Sequence, residues 1–533
     1  MKLHRVLFIG LILHLTLCAR LSMPSDLVLE ALSSSEVKIQ WRDNSDSETG
    51  YKIFRDGVLI KITSANVTSY VDKNLLPNHT YRYTIKATDD QSSLGKFRLT
   101  AYGPPSRREY NGAYPNSSFD DVWSYYKGAY LESVSRIDPT NKGLFESAKK
   151  HGLKYYLDIR YIFFEDKLDS NNTDYLRGIK YLADGSTVEN IKPDNISEDT
   201  LNSIKDFVSK YKDDPYLLGY WICDEPFPSA AGNIAKVIEA IKEKDTKHPS
   251  IVNIARNEWT TENNLTNFFK DTGIDMFSFN FSIFWTDDKY RLEETTEAEQ
   301  EDAYYKRFAQ MQKLSLNLNI PYGFIAQMVG TEYKDPENIK WRTPNIAEYR
   351  WEVYTAMVYG VHSLSWFYWE YDDAEDKNSA WGLLDLPAEQ RDPIYNAIKS
   401  VNKEIFNLKD IMALLRSTEV YHMNDTTFKK KPIVAKNSDT PVIIGLFEDS
   451  YNSSFEKKHY FMIVNKDRKK GLMEDYHIVV RQSRYPDAPK DNATVSLEYF
   501  NVITNRWEDI DVNNNEFKVY LSAGQGKLFR FSF

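Results

Sequence analysis

The sequence predicts a multidomain protein, a (β/α)8 TIM barrel flanked by an N-terminal and a C-terminal β-sandwich. Three observations predict it. Short alternating runs occupy the chain up to about Asp90, apolar runs then alternate with amphipathic helical stretches through about 415, and from about Val420 helical periodicity disappears again. A length of 533 residues suits two to four domains. With 42% hydrophobic and 27% charged residues the composition is that of an ordinary globular chain. The net charge of −10 provides no general attraction for nucleic acid or an anionic membrane, while a neutral glycan is not excluded. Aromatics make up 14% of the chain, with 36 Tyr and 11 Trp, enough for either large cores or flat stacking surfaces.

Residues 1–19 read as a cleaved secretory signal, so the expected location is extracellular. Lys2 and Arg5 supply a positive start, Val6 to Leu17 is an apolar run too short to span a bilayer, and Thr16, Cys18 and Ala19 offer small residues for cleavage. A signal anchor is the alternative. No later stretch has the length to cross a membrane. Cys223 is then the only secure thiol, which leaves stability to the cores rather than to disulfides. Asn-x-Ser/Thr sequons occur at Asn66, Asn78, Asn116, Asn171, Asn195, Asn264, Asn280, Asn424, Asn452 and Asn492, which in a eukaryotic secretory pathway would allow N-glycosylation.

In the first domain, residues 20–95, Val37–Trp41, Tyr51–Arg55 and Tyr81–Ala87 show the period of two of half-buried strands. The stretches KIQWRDNSDSETGYKIFRDG and TSYVDKNLLPNHTYRYTIKA, with Trp41, Leu76 and Tyr81 placed within them, resemble the fibronectin type III family. The resemblance implies a spacing, orienting or binding module without chemistry of its own.

Eight runs follow between 96 and 417: Phe97–Tyr102, Tyr130–Ile137, Leu153–Arg160, Leu217–Cys223, Ile251–Ala255, Ile274–Phe281, Ile320–Met328 and Ser363–Tyr371. Eight strands close a barrel, and the span exceeds the roughly 250 residues a barrel needs. Helices are expected over Glu198–Tyr211, Ala231–Lys244, Ala303–Leu316 and Ala347–Tyr359; Ile204, Phe207, Val208 and Tyr211 form the stripe of a helix that covers a sheet. An open doubly wound sheet is the rival, but no Gly-rich phosphate loop follows the first run. From 418 to 533, Pro441–Phe447, His459–Asn465, His477–Val480, Thr494–Phe500 and Lys518–Leu521 read as strands of a closing sandwich.

Active sites of such barrels lie at the C-terminal ends of the strands. The fourth run ends GYWICDEP, which places Asp224 and Glu225 at the mouth beside Tyr220 and Trp221. Apolar walls raise a carboxyl pKa toward neutrality and suit it to general acid work; the bland alternative is capping of the next helix. Asp158, ending the third run, and Asn280, ending the sixth, are further polar candidates with an equal claim to fixing loops. With these residues the sequence resembles the (β/α)8 glycoside hydrolase superfamily, whose acid/base Glu follows strand four in an Asn-Glu-Pro-like motif. The resemblance extends to YRWEVYTAMVYGVHSLSWFYWEY and to the terminal AGQGKLFRF. It implies that Glu225 is the acid/base residue, with Asp224 in place of the usual Asn.

One departure bears on the mechanism. A retaining member carries its nucleophilic Glu at the end of strand seven, where this chain reads IPYGFIAQM and offers Gln327, and an amide cannot form a glycosyl-enzyme intermediate. Glu370 at the end of the eighth run, Asp372, Asp373 or Glu332 remain open as the second carboxylate, as does a binding barrel with no hydrolysis. Nine of the eleven tryptophans fall between Trp123 and Trp381; Trp221, Trp285, Trp366, Trp369 and Trp381 lie on or just after expected strands, where they either stack on sugars or pack the barrel. The nine histidines lack zinc-helix spacing and no Cys pair exists, so no metal and no cofactor is expected. No nucleophile elbow or dinucleotide fingerprint is present, and Cys223 on a buried strand reads as packing. The expected activity is hydrolysis of O-glycosidic bonds of an extracellular polysaccharide or glycan. Glu225 and Glu370 would act as catalytic groups, with Asp224, Asp158, Asn280, Gln327, Trp221, Trp366 and Trp369 around the sugar. The alternative is an inactive carbohydrate-binding or extracellular matrix protein.

Overall fold

The computed structural model describes residues 24–533 except 46, 47, 49, 56, 57, 64, 65, 74, 76, 78, 89–96, 104–117, 165–166, 256–258, 286–295, 331–340, 371–381, 424–429, 450–457, 482 and 490–493. The leader, Leu76, Glu332, Asp372, Asp373 and Trp381 lie outside the described residues. The chain divides into two compact units, one ending at Gln91 and one running from Ser92 to Phe533.

The first unit contains β1 (Ser25–Ala31), β2 (Val37–Arg42), β3 (Gly50–Arg55), β4 (Val58–Ile62), β5 (Ser69–Asp72) and β6 (Tyr83–Thr88). They form two antiparallel sheets, β1-β2-β5 and β4-β3-β6. Alternate residues Ile39 and Trp41 of β2, Tyr51 and Ile53 of β3, and Tyr83 and Ile85 of β6 point into one core, the pattern read from the period of two.

The second unit opens with β7 (Arg98–Ala101), α1 (Phe119–Gly128), β8 (Ser133–Ile137), α2 (Lys142–Lys150), β9 (Lys154–Asp158) and α3 (Ile159–Phe164). A loop with a short hairpin, β10 (Lys180–Tyr181) and β11 (Thr187–Val188), leads to α4 (Glu198–Tyr211) and β12 (Leu217–Asp224). Then follow α5 (Ala231–Lys242), β13 (Ser250–Ile254), α6 (Glu262–Thr272), β14 (Met276–Asn280), α7 (Glu297–Leu318), β15 (Tyr322–Gln327), α8 (Ile346–Val358), β16 (Ser363–Phe367) and α9 (Ala388–Met412). The eight strands β7, β8, β9, β12, β13, β14, β15 and β16 are parallel neighbours in chain order, and β16 pairs with β7 to close the barrel. Each lies on one of the eight runs expected from the sequence. The eighth is shorter than expected, ending at Phe367, so Glu370 lies beyond the strand rather than at its end.

Local signals set the helices. Ser197 caps α4 by accepting the Thr200 amide, and Leu201, Ile204 and Val208 bury the face turned to the barrel. Thr296 and Glu299 form a capping box for α7, as Asn345 and Glu348 do for α8, and Gly273 at φ +70° stops α6 in the left-handed conformation.

The chain closes with β17 (Leu415–His422), β18 (Ile433–Ala435), β19 (Val442–Asp449), β20 (His459–Asn465), β21 (Leu472–Ile478), β22 (Ser496–Asn501), β23 (Arg506–Ile510), β24 (Glu516–Leu521) and β25 (Gly526–Ser532). A six-stranded sheet, β17-β19-β20-β25-β22-β23, faces a three-stranded one, β18-β21-β24, across a core that includes Ile444, Phe461, Tyr476, Phe517 and Phe529. This sandwich packs on α8, which explains why nearly every residue of that helix is buried. The fit is close: Gly524, at φ +67°, lies against the Ala347 carbonyl with no room for a Cβ.

Candidate active site

β12 is buried along its length until Asp224, and its chain continues into Glu225. Glu225 takes a left-handed φ of +54°, a conformation that costs a non-glycine residue free energy and persists where the surroundings impose it. Its amide donates to the Asn253 carbonyl at 2.9 Å, which fixes the turn to the end of β13. The side chain is half-buried. Its pKa rises from 4.5 to about 7, first through burial and second through the neighbouring Asp224 charge; Arg177 and the Asn280 amide act in the opposite direction.

A polar network joins the strand ends around it. The Tyr102 hydroxyl, just past β7, donates to Asp224 Oδ2 at 2.6 Å and accepts from Arg136 Nη1 of β8 at 2.6 Å. Arg136 Nε donates to Asp158 Oδ2 at 2.5 Å, and the other Asp158 oxygen accepts the Tyr161 amide. Asn253 Nδ2 donates to Asp224 Oδ1 at 2.9 Å and to Asn280 Oδ1 at 3.2 Å, while its own oxygen accepts from Ser278 Oγ. Burial pushes the Tyr102 pKa well above 10, so the phenol stays protonated and remains a donor. Burial works against the Arg136 charge, but Asp158, Tyr102 and Asp224 outweigh it and hold its pKa above the ordinary value. Trp221 lies below this layer in the barrel interior, its ring edge-on to Tyr102 at 5.8 Å.

Tyr102→Phe leaves Asp224 short of a donor and Arg136 short of an acceptor in a half-buried network. The expected cost is about 1–3 kcal/mol, read as a lower unfolding free energy in denaturant. An unchanged value would show that the chain of hydrogen bonds does not hold the mouth together.

Of the residues expected at the site, Asp158, Asp224, Glu225, Asn280 and Trp221 come together at the mouth and the layer beneath it. The others are held by contacts of their own. Gln327 is 4% exposed; its Nε2 donates to the Arg342 carbonyl at 2.8 Å, and its main-chain amide donates to Glu352 of α8, so the strand-seven position holds a loop-fixing amide. Trp366 and Trp369, expected around the sugar, are both 0% exposed and pack against the outer helices. The Trp366 indole donates to Asn402 of α9 at 2.8 Å, and Trp369 packs on Tyr126 of α1. Glu370 is buried, with its amide donating to the Gly103 carbonyl at 3.0 Å just past β7. Trp285 lies in the loop after β14 with its ring against Trp341 and its indole donating to the Ser282 carbonyl. Burial pushes the Cys223 thiol pKa up, and Sγ donates to the Leu176 carbonyl. Among the described residues no group of three or more His, Cys, Asp or Glu side chains is arranged to hold a metal ion, and no helix is long and apolar enough to cross a membrane.

Sequence reasoning missed Tyr102, Arg136, Asn253 and Arg177. The first three share one signal, a polar or hydroxylated side chain in the last residues of a barrel run or just past it.

Solved structures match the chain at the level of fold. The chain is similar to β-galactosidase from Bacillus circulans sp. alkalophilus, with a TM-score of 0.51 at 6% identity over 83% of this chain and 99% of that one. It is also similar to a cycloisomaltooligosaccharide glucanotransferase from Paenibacillus sp., solved with cycloisomaltoheptaose, with a TM-score of 0.51 at 7% identity over 96% and 99%. Against β-galactosidase from the psychrophilic Marinomonas ef1 it spans 60% of this chain and 62% of that one, at 11% identity and a TM-score of 0.42. No protein-family model matches the sequence, and no curated protein matches it. Identities this low establish a shared architecture, a closed eight-stranded barrel with attached β-sheets.

Proposed function

We propose that the protein is a secreted glycoside hydrolase that cleaves O-glycosidic bonds of a polysaccharide or glycan, with Glu225 as general acid and base. The observation that carries this reading is Glu225 itself, a carboxyl in a left-handed turn at the end of β12 with its pKa near 7. A group that is half protonated at neutral pH can donate to the leaving oxygen and then take a proton from water. Asp224, hydrogen-bonded by Tyr102 and Asn253, fixes the negative charge that keeps the Glu225 proton on. Asn280, half-buried at the end of β14, is the amide placed to meet a sugar hydroxyl, while Asn253, Tyr102 and Trp221 are buried and support the mouth from beneath.

Glu370 remains the proposed second carboxylate, because strand seven contributes only the amide of Gln327. A separation from Glu225 of about 5–5.5 Å would imply retention and about 6.5–9.5 Å inversion. The N-terminal unit, two three-stranded sheets around Trp41 and Tyr51, supports the fibronectin type III-like reading. The apolar leader supports action outside the cell.

A second reading, a barrel that binds glycan without cleaving it, is favoured by the buried amide at the strand-seven position. Reducing-sugar release across plant, fungal, bacterial and animal polysaccharides separates the two. The hydrolase reading expects release on at least one of them; binding without release on any would establish the binding barrel.

A further inference from the structure

Arg177 differs from the other arginines around the barrel mouth. Arg136 pairs with Asp158 at 2.5 Å, Arg160 with Asp174 at 2.9 Å, and Arg342 grips both oxygens of Glu348. Among the described residues Arg177 has no carboxylate partner, and its Nε is buried with no acceptor. It lies close enough to Glu225 for its charge to favour the carboxylate, yet the two form no ion pair.

The backbone that carries it is locked. The Arg177 amide donates to Asp174 Oδ1 at 3.0 Å, and its carbonyl accepts the Phe227 amide at 2.8 Å, directly tying it to the segment after Glu225. The next residue, Gly178, donates to the Asp174 carbonyl and accepts from the Ile191 amide. Its φ is +70°, and Ser229 Oγ occupies the space a Cβ would need, so only glycine allows this course. A rigid loop thus presents a half-buried guanidinium beside the general acid with donors left over. An unpaired buried donor costs free energy, and a planar anionic oxygen pair satisfies a guanidinium best.

We propose that Arg177 binds an anionic group, carboxylate or sulfate ester, on the sugar next to the bond that Glu225 attacks, so that the substrate is an acidic glycan. This rests on the hydrolase reading for the position of the bond, but not for the binding itself. Two negative charges near Glu225, Asp224 and the exposed Glu189, oppose an anion there and are the cost that Arg177 must outweigh. Asp224 is held by Tyr102 and Asn253, Glu189 is screened by solvent, and Glu225 enters the reaction protonated, which leaves Arg177 to meet the anion.

Binding by the full chain carrying Glu225→Gln tests the proposal without turnover. The probes are oligogalacturonate and hyaluronan oligosaccharides for the carboxylate, chondroitin sulfate oligosaccharides for the sulfate, and carboxyl-reduced versions of the uronates as neutral controls. At least one acidic probe is expected to bind about tenfold or more tightly than its neutral control, a preference that Arg177→Gln abolishes and Arg177→Lys partly restores. Preference for the carboxylate or the sulfate probes identifies the source of the anion. Equal binding of acidic and neutral probes, no binding of any acidic probe, or a preference that survives in Arg177→Gln at unchanged unfolding temperature overturns it. Sugar release by the otherwise unaltered protein keeps the two proposals apart. Acidic binding without release removes the hydrolase and leaves Arg177's role intact, whereas release from neutral glycan only, unaffected by Arg177→Gln, does the reverse.

Discussion

Glu225→Gln is expected to lower kcat/KM by about 10²–10⁴-fold, the usual worth of a positioned general acid, while glycan affinity is retained. On the proposed hydrolase reading the unaltered protein should lose activity as pH rises through about 7, because Glu225 would have to carry the proton it donates and its pKa lies there. Burial is the main cause and the Asp224 charge the second. The same shift has a stability consequence whose sign is opposite to that of an ordinary surface carboxylate. Between about pH 4.5 and 7 the folded chain holds a proton that the unfolded chain has released, so the folded state loses stability as pH rises across that window. Glutamine has no proton to lose. The variant should therefore be the more stable protein at pH 8 and similar to the original at pH 4. Unfolding temperatures of both proteins at the two pH values, with kcat/KM profiles from pH 4 to 9, check the whole chain of reasoning. Full activity in Glu225→Gln would remove the residue from the chemistry. A flat stability difference would mean the carboxyl is not desolvated.

The barrel was legible because a strand covered on both faces reads as an uninterrupted apolar run, and Leu217–Asp224, buried up to its last residue, is the clearest of the eight. The same property hid which way each side chain points. In Ser363–Phe367 the alternation puts Leu364 and Trp366 on one face and Ser363, Ser365 and Phe367 on the other, but alternation alone does not say that the Trp366 face turns out toward α9 while Phe367 turns into the barrel. In the terminal sandwich the well-buried β19 and β20 were anticipated nearly residue for residue. Polar and half-exposed β23 was not, and β21 starts at Leu472 rather than at His477, because Glu474 and Asp475 interrupt the apolar pattern. At the site, Asp224 and Glu225 were visible from one local fact, two acids at a strand end before Pro226. Their partners were not, since Tyr102, Arg136 and Asn253 meet them only through the stagger of neighbouring strands, at separations of 122 residues for Tyr102 and 29 for Asn253. Arg177 is hidden for a further reason, in that it sits on a loop held by backbone hydrogen bonds that leave little trace in sequence.

Trp369→Ala is expected to lower the unfolding free energy by about 3–5 kcal/mol, the cost of emptying a buried aromatic site, and to leave glycan affinity unchanged. The ring is 0% exposed and packs edge-on to Tyr126 with centroids 4.9 Å apart, with Tyr125 at 5.8 Å and Tyr395 of α9 at 6.4 Å. Its backbone ties the chain after β16 to the chain after β7, donating to the Tyr102 carbonyl at 2.8 Å, so the cavity would open directly behind the residue that holds Asp224. Among the described residues the indole nitrogen has no partner, whereas that of Trp366 donates to Asn402. Trp369→Phe should therefore keep most of the stability, because it surrenders volume but no hydrogen bond. Trp366→Phe should cost more, because it also strands the buried Asn402 oxygen. Denaturant unfolding of the three variants, beside glycan titration, separates packing from stacking. A Trp369→Ala protein that unfolds normally but binds glycan weakly would return this tryptophan to the sugar site.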